Sequence, residues 1–87
     1  MSALIVYVYL LENPAGRLYV GQSANLPSRL EDHNSSGPTQ GKFTRKNGPW
    51  RLIWSEPHSS RSAAVLREQE IKSWKSSRTI RERLLGR

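Results

Sequence analysis

Residues 7–21 read YVYLLENPAGRLYVG, which is two apolar, tyrosine-bearing stretches on either side of a turn. Leu4 to Leu11 is rich in β-branched and aromatic residues and is too short for a typical helix, so we predict a strand. Asn13-Pro14-Ala15-Gly16 has Asn, Pro and Gly at the first, second and fourth positions of a type I turn. With Gly16 in the left-handed conformation, the connection becomes a three-residue hairpin loop with a glycine bulge.

The turn also predicts which side chains share a face of the hairpin. A loop of this length pairs Asn13 with Arg17. In that register Tyr9 lies opposite Gly21, and Tyr19 is the diagonal neighbour of Tyr9 on the same face of the sheet. We expect this to be the working face, which carries the functional side chains, and the opposite face to be the core. The structural interpretation of two such tyrosines is a packed aromatic pair. Gly21 favours a ligand site, because its missing side chain leaves open space above the Tyr9 ring.

Three helices and a third strand complete the predicted pattern. We predict a helix over 26–34 that is capped by Ser23-Ala24-Asn25, and then a strand over 50–55 in which Trp50, Leu52 and Trp54 share one face. A second helix is predicted over 61–75, with Ser59 or Ser60 as its cap. A last short helix starts at a Thr79–Glu82 capping box and stops at Gly86. Arg67 points into an apolar arc, which the pattern does not explain. The order β-β-α-β-α-α predicts an α+β fold, a small three-stranded, mainly antiparallel sheet flanked by helices, in a single domain over residues 1–87.

The composition points to an anionic partner. The 87 residues carry a formal charge of +7 and have a pI near 10.6, for which nucleic acid is the commonest partner and an acidic membrane surface or a charged subunit interface the alternative. The absence of cysteine excludes disulfides and Cys-ligated zinc and fits a cytoplasmic protein. Leu4 to Leu11 is too short to span a bilayer, so we expect no membrane partner.

Charged residues beside apolar faces are the candidate site residues. Arg29 and His33 are four residues apart on the helix over 26–34 and project from one border of its apolar stripe. Glu68 falls at the edge of the apolar arc of the helix over 61–75, where a carboxylate is either a salt-bridge partner or a site residue.

Residues 35–49 are rich in Gly, Ser, Pro and Lys and have no apolar period, which predicts an exposed loop. Lys42, Arg45 and Lys46 surround Phe43, a pattern that suits a nucleic-acid strand because charges bind phosphates and a ring stacks on bases. The alternative is a solvated loop whose Phe43 packs on the core.

These residues together resemble the GIY-YIG nuclease family. Tyr7-Val8-Tyr9 stands for its first motif and Tyr19-Val20-Gly21 for its second, and Arg29 lies ten residues after the second motif begins. The resemblance continues through Arg61-Ser62 and Leu66-Arg67-Glu68 to Ile71-Lys72, covers most of the chain and is closest to the small single-domain members. Two departures are Gln22, where some members have lysine, and the lack of an asparagine after Glu68.

The resemblance implies a divalent-metal-dependent endonuclease that hydrolyses DNA phosphodiester bonds, structure-guided or nonspecific, in processing of the repair or recombination type. It implies a catalytic set of Tyr9, Tyr19, Arg29, His33 and Glu68. We predict nucleic-acid contacts from the loop residues and from the helix over 61–75, namely Lys42, Phe43, Arg45, Lys46, Arg61 and Lys72. Glu68 would hold Mg²⁺ or Mn²⁺, and Arg29 the scissile phosphate. Tyr9 would orient or deprotonate the attacking water, provided that cationic surroundings lower its pKa.

Three alternatives stay open at the level of the sequence. One is a nucleic-acid-binding module of the same fold with weak or lost cleavage. Another is a small basic assembly protein whose tyrosines are merely packed. RNA is an alternative substrate to DNA, and a larger protein partner for targeting and the oligomeric state are left open.

Overall fold

The computed structural model describes residues 4–34 and 48–86. Its elements are β1 (Val6–Glu12), β2 (Leu18–Ser23), α1 (Leu26–Asn34), β3 (Arg51–His58), α2 (Arg61–Ser73) and α3 (Ser77–Leu85). The strands form one antiparallel sheet in the order β2-β1-β3. The predicted α+β class and element order are confirmed. Within these residues no helix is long and apolar enough to cross a membrane.

The β1–β2 hairpin has the predicted turn. The Asn13 N–H donates to the Arg17 carbonyl at 3.1 Å and the Gly16 N–H to the Asn13 carbonyl at 3.0 Å, with Gly16 at a φ of 81°. The Asn13 side chain accepts two further N–H groups of the turn at 3.1 and 2.8 Å, so this polar residue is satisfied although it is buried. Tyr9 pairs with Gly21, as the turn chemistry predicts.

Both faces of the sheet are covered by apolar clusters. One cluster, beneath α2 and α3, consists of Val6, Val8, Leu10, Val20, Ala64, Ile71 and Ile80. The other, beneath α1, consists of Tyr9, Leu11 and Trp50, with Tyr19, Leu26, Leu30 and Leu52 packed against it. The Tyr9 side of β1, which we expected to be a working face only, is therefore also a core face, and Tyr9 is only 1% exposed.

The pairing of β3 with β1 contains an irregularity. Leu10 pairs with Trp54 and Leu11 pairs with Leu52, which leaves Ile53 as an extra residue between the two pairs. One inserted residue exchanges the faces on which the side chains beyond it lie. The prediction that Leu52 and Trp54 share a face is wrong for this reason, and Trp54 packs on the cluster beneath α2 and α3.

Serine caps set the starts of α2 and α3. The Ser60 hydroxyl accepts from the Ala63 N–H at 3.1 Å, and the Ser76 hydroxyl accepts from the Thr79 N–H at 3.3 Å. The last helix therefore begins after Ser76 and not at the predicted Thr79 capping box, since Thr79 already lies in the first helical turn. Gly86 ends the helix with a left-handed φ of 75°, as predicted.

Arg67 occupies an apolar position because two rings and two acids hold its guanidinium. The group lies 5.9 Å from the Trp54 ring centroid and 5.8 Å from that of Trp74. Its Nε donates to Glu56 at 3.0 Å and its Nη1 to Glu70 at 2.7 Å. A planar cation can stack on rings while its edge donates to carboxylates, which accounts for an arginine among apolar residues.

Glu12 joins the end of β1 to β3 and α3. Its carboxylate accepts from Arg51 Nη2 at 2.8 Å and from Arg81 Nη1 at 2.5 Å, and Arg81 also donates to the Gly16 carbonyl at 2.7 Å. The hydrogen bonds from Arg81 and Arg51 lower the pKa of Glu12. This carboxylate therefore fastens the hairpin turn to the last helix.

Candidate active site

The phenol of Tyr9 lies directly over Gly21. A Cβ atom on Gly21 would stand 2.5 Å from Tyr9 Oη, 2.7 Å from Tyr9 Cζ and 3.1 Å from Tyr19 Cε1. The open space that we expected above the ring is absent, because the Tyr9 side chain itself fills the room left by the glycine. Gly21 is thus needed for the position of the phenol.

Tyr9 and Tyr19 share one face, as the hairpin register predicts. Their ring centroids are 6.4 Å apart with an interplanar angle of 27°, and Trp50 meets Tyr19 edge-on at 6.1 Å. The rings belong to the apolar cluster beneath α1, so their orientation is held by packing. The two interpretations of the tyrosines are therefore compatible, since packed rings can present their hydroxyl groups at a site.

Arg29 and Glu68 act on the Tyr9 phenol from two different helices. Burial is the largest influence and raises the pKa of Tyr9 to about 12, although a side-chain hydrogen bond from Arg29 lowers it. The charges of Tyr19 and Glu68 raise it further. Arg29 by itself does not bring the pKa of Tyr9 below its ordinary value, because the lost hydration of the phenolate outweighs the effect of the guanidinium. The phenol is neutral at pH 7.

The carboxylate of Glu68 forms an ion pair with Lys72. Its Oε2 accepts from Lys72 Nζ at 2.6 Å, and the Glu68 side chain is 19% exposed. Mg²⁺ prefers hard oxygen ligands and keeps several bound waters. The partly exposed carboxylate of Glu68, which already attracts the Lys72 ammonium, fits such an ion. Within residues 4–34 and 48–86, no three His, Asp or Glu side chains are grouped so that they could hold a metal ion.

Arg61 reaches β2 beside Gly21. Its Nη1 donates to Gln22 Oε1, which connects the first turn of α2 to the strand that carries the second tyrosine motif. Gln22 stands where some nucleases of the resembled family have lysine. A guanidinium is therefore present near this position even though the strand itself supplies none.

Asn34 is a positioning residue that the sequence reasoning missed. Its Nδ2 donates to the Trp50 carbonyl at 2.9 Å and its Oδ1 accepts from the Trp50 N–H at 2.5 Å. The amide thus imitates a strand partner and fastens the end of α1, which carries Arg29, to the residue before β3. An Asn at the end of a predicted helix was the available signal, since its side chain readily bonds to backbone groups.

The structure brings together four of the five predicted catalytic residues around the Tyr9 phenol: Tyr9, Tyr19, Arg29 and Glu68. The backbone of His33 lies in α1, and its side chain is outside the described part of the structure. Arg61 and Lys72 lie at the two ends of α2. The four predicted loop contacts lie outside the described residues: Lys42, Phe43, Arg45 and Lys46.

Comparison with known proteins gives consistent matches over most of the chain. The family model described as the GIY-YIG catalytic domain matches residues 5–81. A UPF0213 protein of Natronomonas pharaonis is 39% identical over 80 residues, which is 92% of this chain and 89% of that protein. A UPF0213 protein of Staphylococcus aureus is 36% identical over 81 residues, with 88% and 95% covered. The solution NMR structure of the UPF0213 protein BH0048 from Bacillus halodurans has a TM-score of 0.48 and 29% identity, covering 79% of this chain and 71% of that one.

Proposed function

We propose, from the premise that this chain belongs to the GIY-YIG family, that it is an endonuclease that hydrolyses DNA phosphodiester bonds with the help of a divalent metal ion. The family has a nuclease-type fold. The observation that carries the proposal is that the Tyr9 phenol of β1 is hydrogen-bonded by Arg29 of α1 and lies within the electrostatic influence of Glu68 of α2. Structure-guided or nonspecific cleavage in cytoplasmic repair or recombination-type processing is part of the proposal.

Arg29 is proposed to bind the scissile phosphate. The residue is exposed and its guanidinium lies within hydrogen-bonding reach of the Tyr9 oxygen. A guanidinium stays charged at every relevant pH and can donate to two phosphate oxygens at once. Hydrolysis concentrates negative charge on those oxygens in the transition state, so a cation fixed there lowers the barrier.

Tyr9 is proposed to orient the attacking water as a neutral phenol. With a pKa of about 12, on the order of one molecule in 10⁵ carries the phenolate at pH 7, so the base role has little support in the protein alone. The phenol oxygen accepts from Arg29, and a phenol O–H can itself donate to a water or to a phosphate oxygen. His33, one turn after Arg29, is the candidate for taking the proton of the water.

Glu68 is proposed as the protein ligand of Mg²⁺ or Mn²⁺. A bound divalent cation at this position supplies charge for the phosphate oxygens and for the departing oxygen. Lys72, at 2.6 Å, keeps the carboxylate in place. Tyr19, whose ring stacks on Tyr9, is proposed to donate a hydrogen bond to the same phosphate or water.

Nicking of branched and plain DNA, with and without Mg²⁺, tests the proposal. The wild type and Glu68→Gln are compared with the control Glu70→Gln. Glu70 lies on the same helix, and its carboxylate pairs with Arg67. We expect Mg²⁺-dependent nicking by the wild type, its loss by about 10²-fold or more in Glu68→Gln, and wild-type rates in Glu70→Gln. Equal nicking by the wild type and Glu68→Gln would show that the assigned site is wrong.

A DNA-binding module without cleavage is the second candidate. The ion pair between Glu68 and Lys72 favours it, because the ammonium takes the carboxylate oxygen that a metal ion would otherwise bind. Salt-sensitive DNA binding without nicking in Mg²⁺ or Mn²⁺ would support this candidate. Absence of DNA binding would favour the assembly protein, whose tyrosines only pack.

A further inference from the structure

Three charged residues of α2 lie in one stripe along the helix. Arg61, Glu68 and Lys72 are separated by seven and four residues, so with 3.6 residues per turn Glu68 and Lys72 both lie within about 20° of the direction of Arg61. The acid therefore stands between two bases. At 1.5 Å per residue, Arg61 is about 10 Å before Glu68 along the axis and Lys72 about 6 Å after it.

The guanidinium of Arg61 is held in place and still has donors available. Arg61 is exposed, and Gln22 Oε1 takes one N–H of its Nη1. A guanidinium has five N–H groups, so among the described residues Gln22 uses one of them and four are available to a ligand. Anchoring one edge of the group on β2 reduces the side-chain entropy that is lost when an anion binds.

Lys72 has the same combination at the other end of the stripe. Its ammonium donates to Glu68 Oε2 at 2.6 Å, and its side chain is 55% exposed. An ammonium has three N–H donors, so two remain for an anion that lies beside Glu68. Lys72 can therefore contact a phosphate without leaving the carboxylate.

We propose that Arg61 and Lys72 bind phosphates of the cleaved strand on opposite sides of the scissile phosphate, with Gln22 as the positioning residue for Arg61. The inference rests on the proposed function, because it takes Glu68 as the centre of the reaction. The stripe is about 16 Å long, which one strand of a duplex covers in about five nucleotides. Because the Lys72 ammonium touches Glu68, its contact is expected at the phosphate next to the scissile one, and the Arg61 contact is expected within about three nucleotides on the other side of the cut.

The experiment first maps the nick that the wild-type protein makes in a defined branched DNA with Mg²⁺. Binding of that DNA is then measured in EDTA, with one phosphate at a time replaced by an uncharged methylphosphonate over three positions on each side of the nick. The proteins are the wild type, Arg61→Gln and Lys72→Gln. Arg78→Gln is the matched control, since Arg78 lies on α3, is 88% exposed and pairs with Glu82.

We expect one sensitive phosphate on each side for the wild type, each weakening binding about tenfold when neutralised. Arg61→Gln should lose the sensitivity on one side only and Lys72→Gln on the other side only, while Arg78→Gln keeps both. Gln22→Ala should halve or more than halve the Arg61 effect, and Gln22→Glu should retain it, because a carboxylate also holds a guanidinium.

Several results would overturn the inference. If neither variant loses sensitivity, or both lose it on the same side, the stripe does not flank the scissile phosphate, although Glu68-dependent nicking by the wild type would leave the proposed function standing. If the wild type nicks no DNA with Mg²⁺ or Mn²⁺, the proposed function fails and the inference fails with it, since no scissile phosphate exists to be flanked.

Discussion

Replacing Gly21 by alanine should displace the phenol of Tyr9. The added Cβ atom would lie 2.5 Å from Tyr9 Oη and 2.7 Å from Cζ. Unbonded heavy atoms rest at about 3.5 Å, so the oxygen has to withdraw by about 1 Å. Tyr9 is 1% exposed and packs with Leu11 and Trp50, so the ring cannot move without disturbing that cluster.

Two costs follow from this displacement. Forcing a methyl group into a packed region destabilises a protein by about 1–3 kcal/mol, which a urea unfolding curve measures as a lower midpoint at unchanged slope. An error of about 1 Å in the placement of a reacting group reduces a rate by about 10²-fold. We therefore expect Gly21→Ala to fold, with reduced stability, and to nick DNA about a hundred times more slowly at saturating Mg²⁺.

Gly86→Ala provides the matched control. Gly86 has a φ of 75°, and no atom of the described residues lies within 4 Å of the position of its Cβ atom, so alanine there costs backbone strain of about 1–2 kcal/mol. A comparable loss of stability with an unchanged nicking rate would separate site geometry from stability. The reasoning is refuted if folded Gly21→Ala nicks at the wild-type rate, or if Gly86→Ala is slowed to the same extent.

Three further predictions concern the ionisable groups. Because the pKa of Tyr9 is raised from 10.0 to about 12, the unfolded state releases this proton first, so stability should fall by about 1.4 kcal/mol per pH unit between pH 10 and 12. Urea unfolding of Tyr9→Phe should show a smaller fall than that of the control Tyr7→Phe, and equal slopes would contradict the burial argument. Glu12→Gln should lower the free energy of unfolding by about 1–2 kcal/mol at pH 7. The difference from the wild type should shrink as the pH falls below 4.5 through the lowered pKa of Glu12, since protonation removes the same charge from the wild-type protein. A difference in unfolding free energy that stays constant down to pH 2 would count against this prediction. Arg67→Lys should cost about 1–2 kcal/mol and alter tryptophan fluorescence, because an ammonium keeps the charge but lacks the planar group that lies near both indole rings. Unchanged stability and emission would argue against these cation–π contacts.

The parts of the site that depend on local chemistry could be predicted from the sequence. The Asn13-Pro14-Ala15-Gly16 turn dictates a loop length, and the loop length dictates that Tyr9 faces Gly21. The positions of Arg29 on α1 and of Glu68 on α2, each beside an apolar stripe, follow in the same way from the helical periodicity of the apolar residues.

The parts that depend on contacts between distant residues could not. The extra residue at Ile53 arises where β3 meets β1, and no neighbouring residue in the sequence signals it. The contact of Arg67 with the Trp54 ring requires a residue of β3, which lies in a different element from α2. The amide bridge from Asn34 to the residue before β3 spans sixteen positions and closes only in the folded protein.

The amino-acid sequence by itself determined the order of the elements, the hairpin register and the family, because turn geometry and residue spacing act over a few bonds. Only the tertiary structure decided that the Tyr9 phenol is buried against Gly21 and remains protonated. That outcome depends on how much water α1 and the Tyr9 cluster exclude from one oxygen, and the removal of water outweighs the nearby guanidinium.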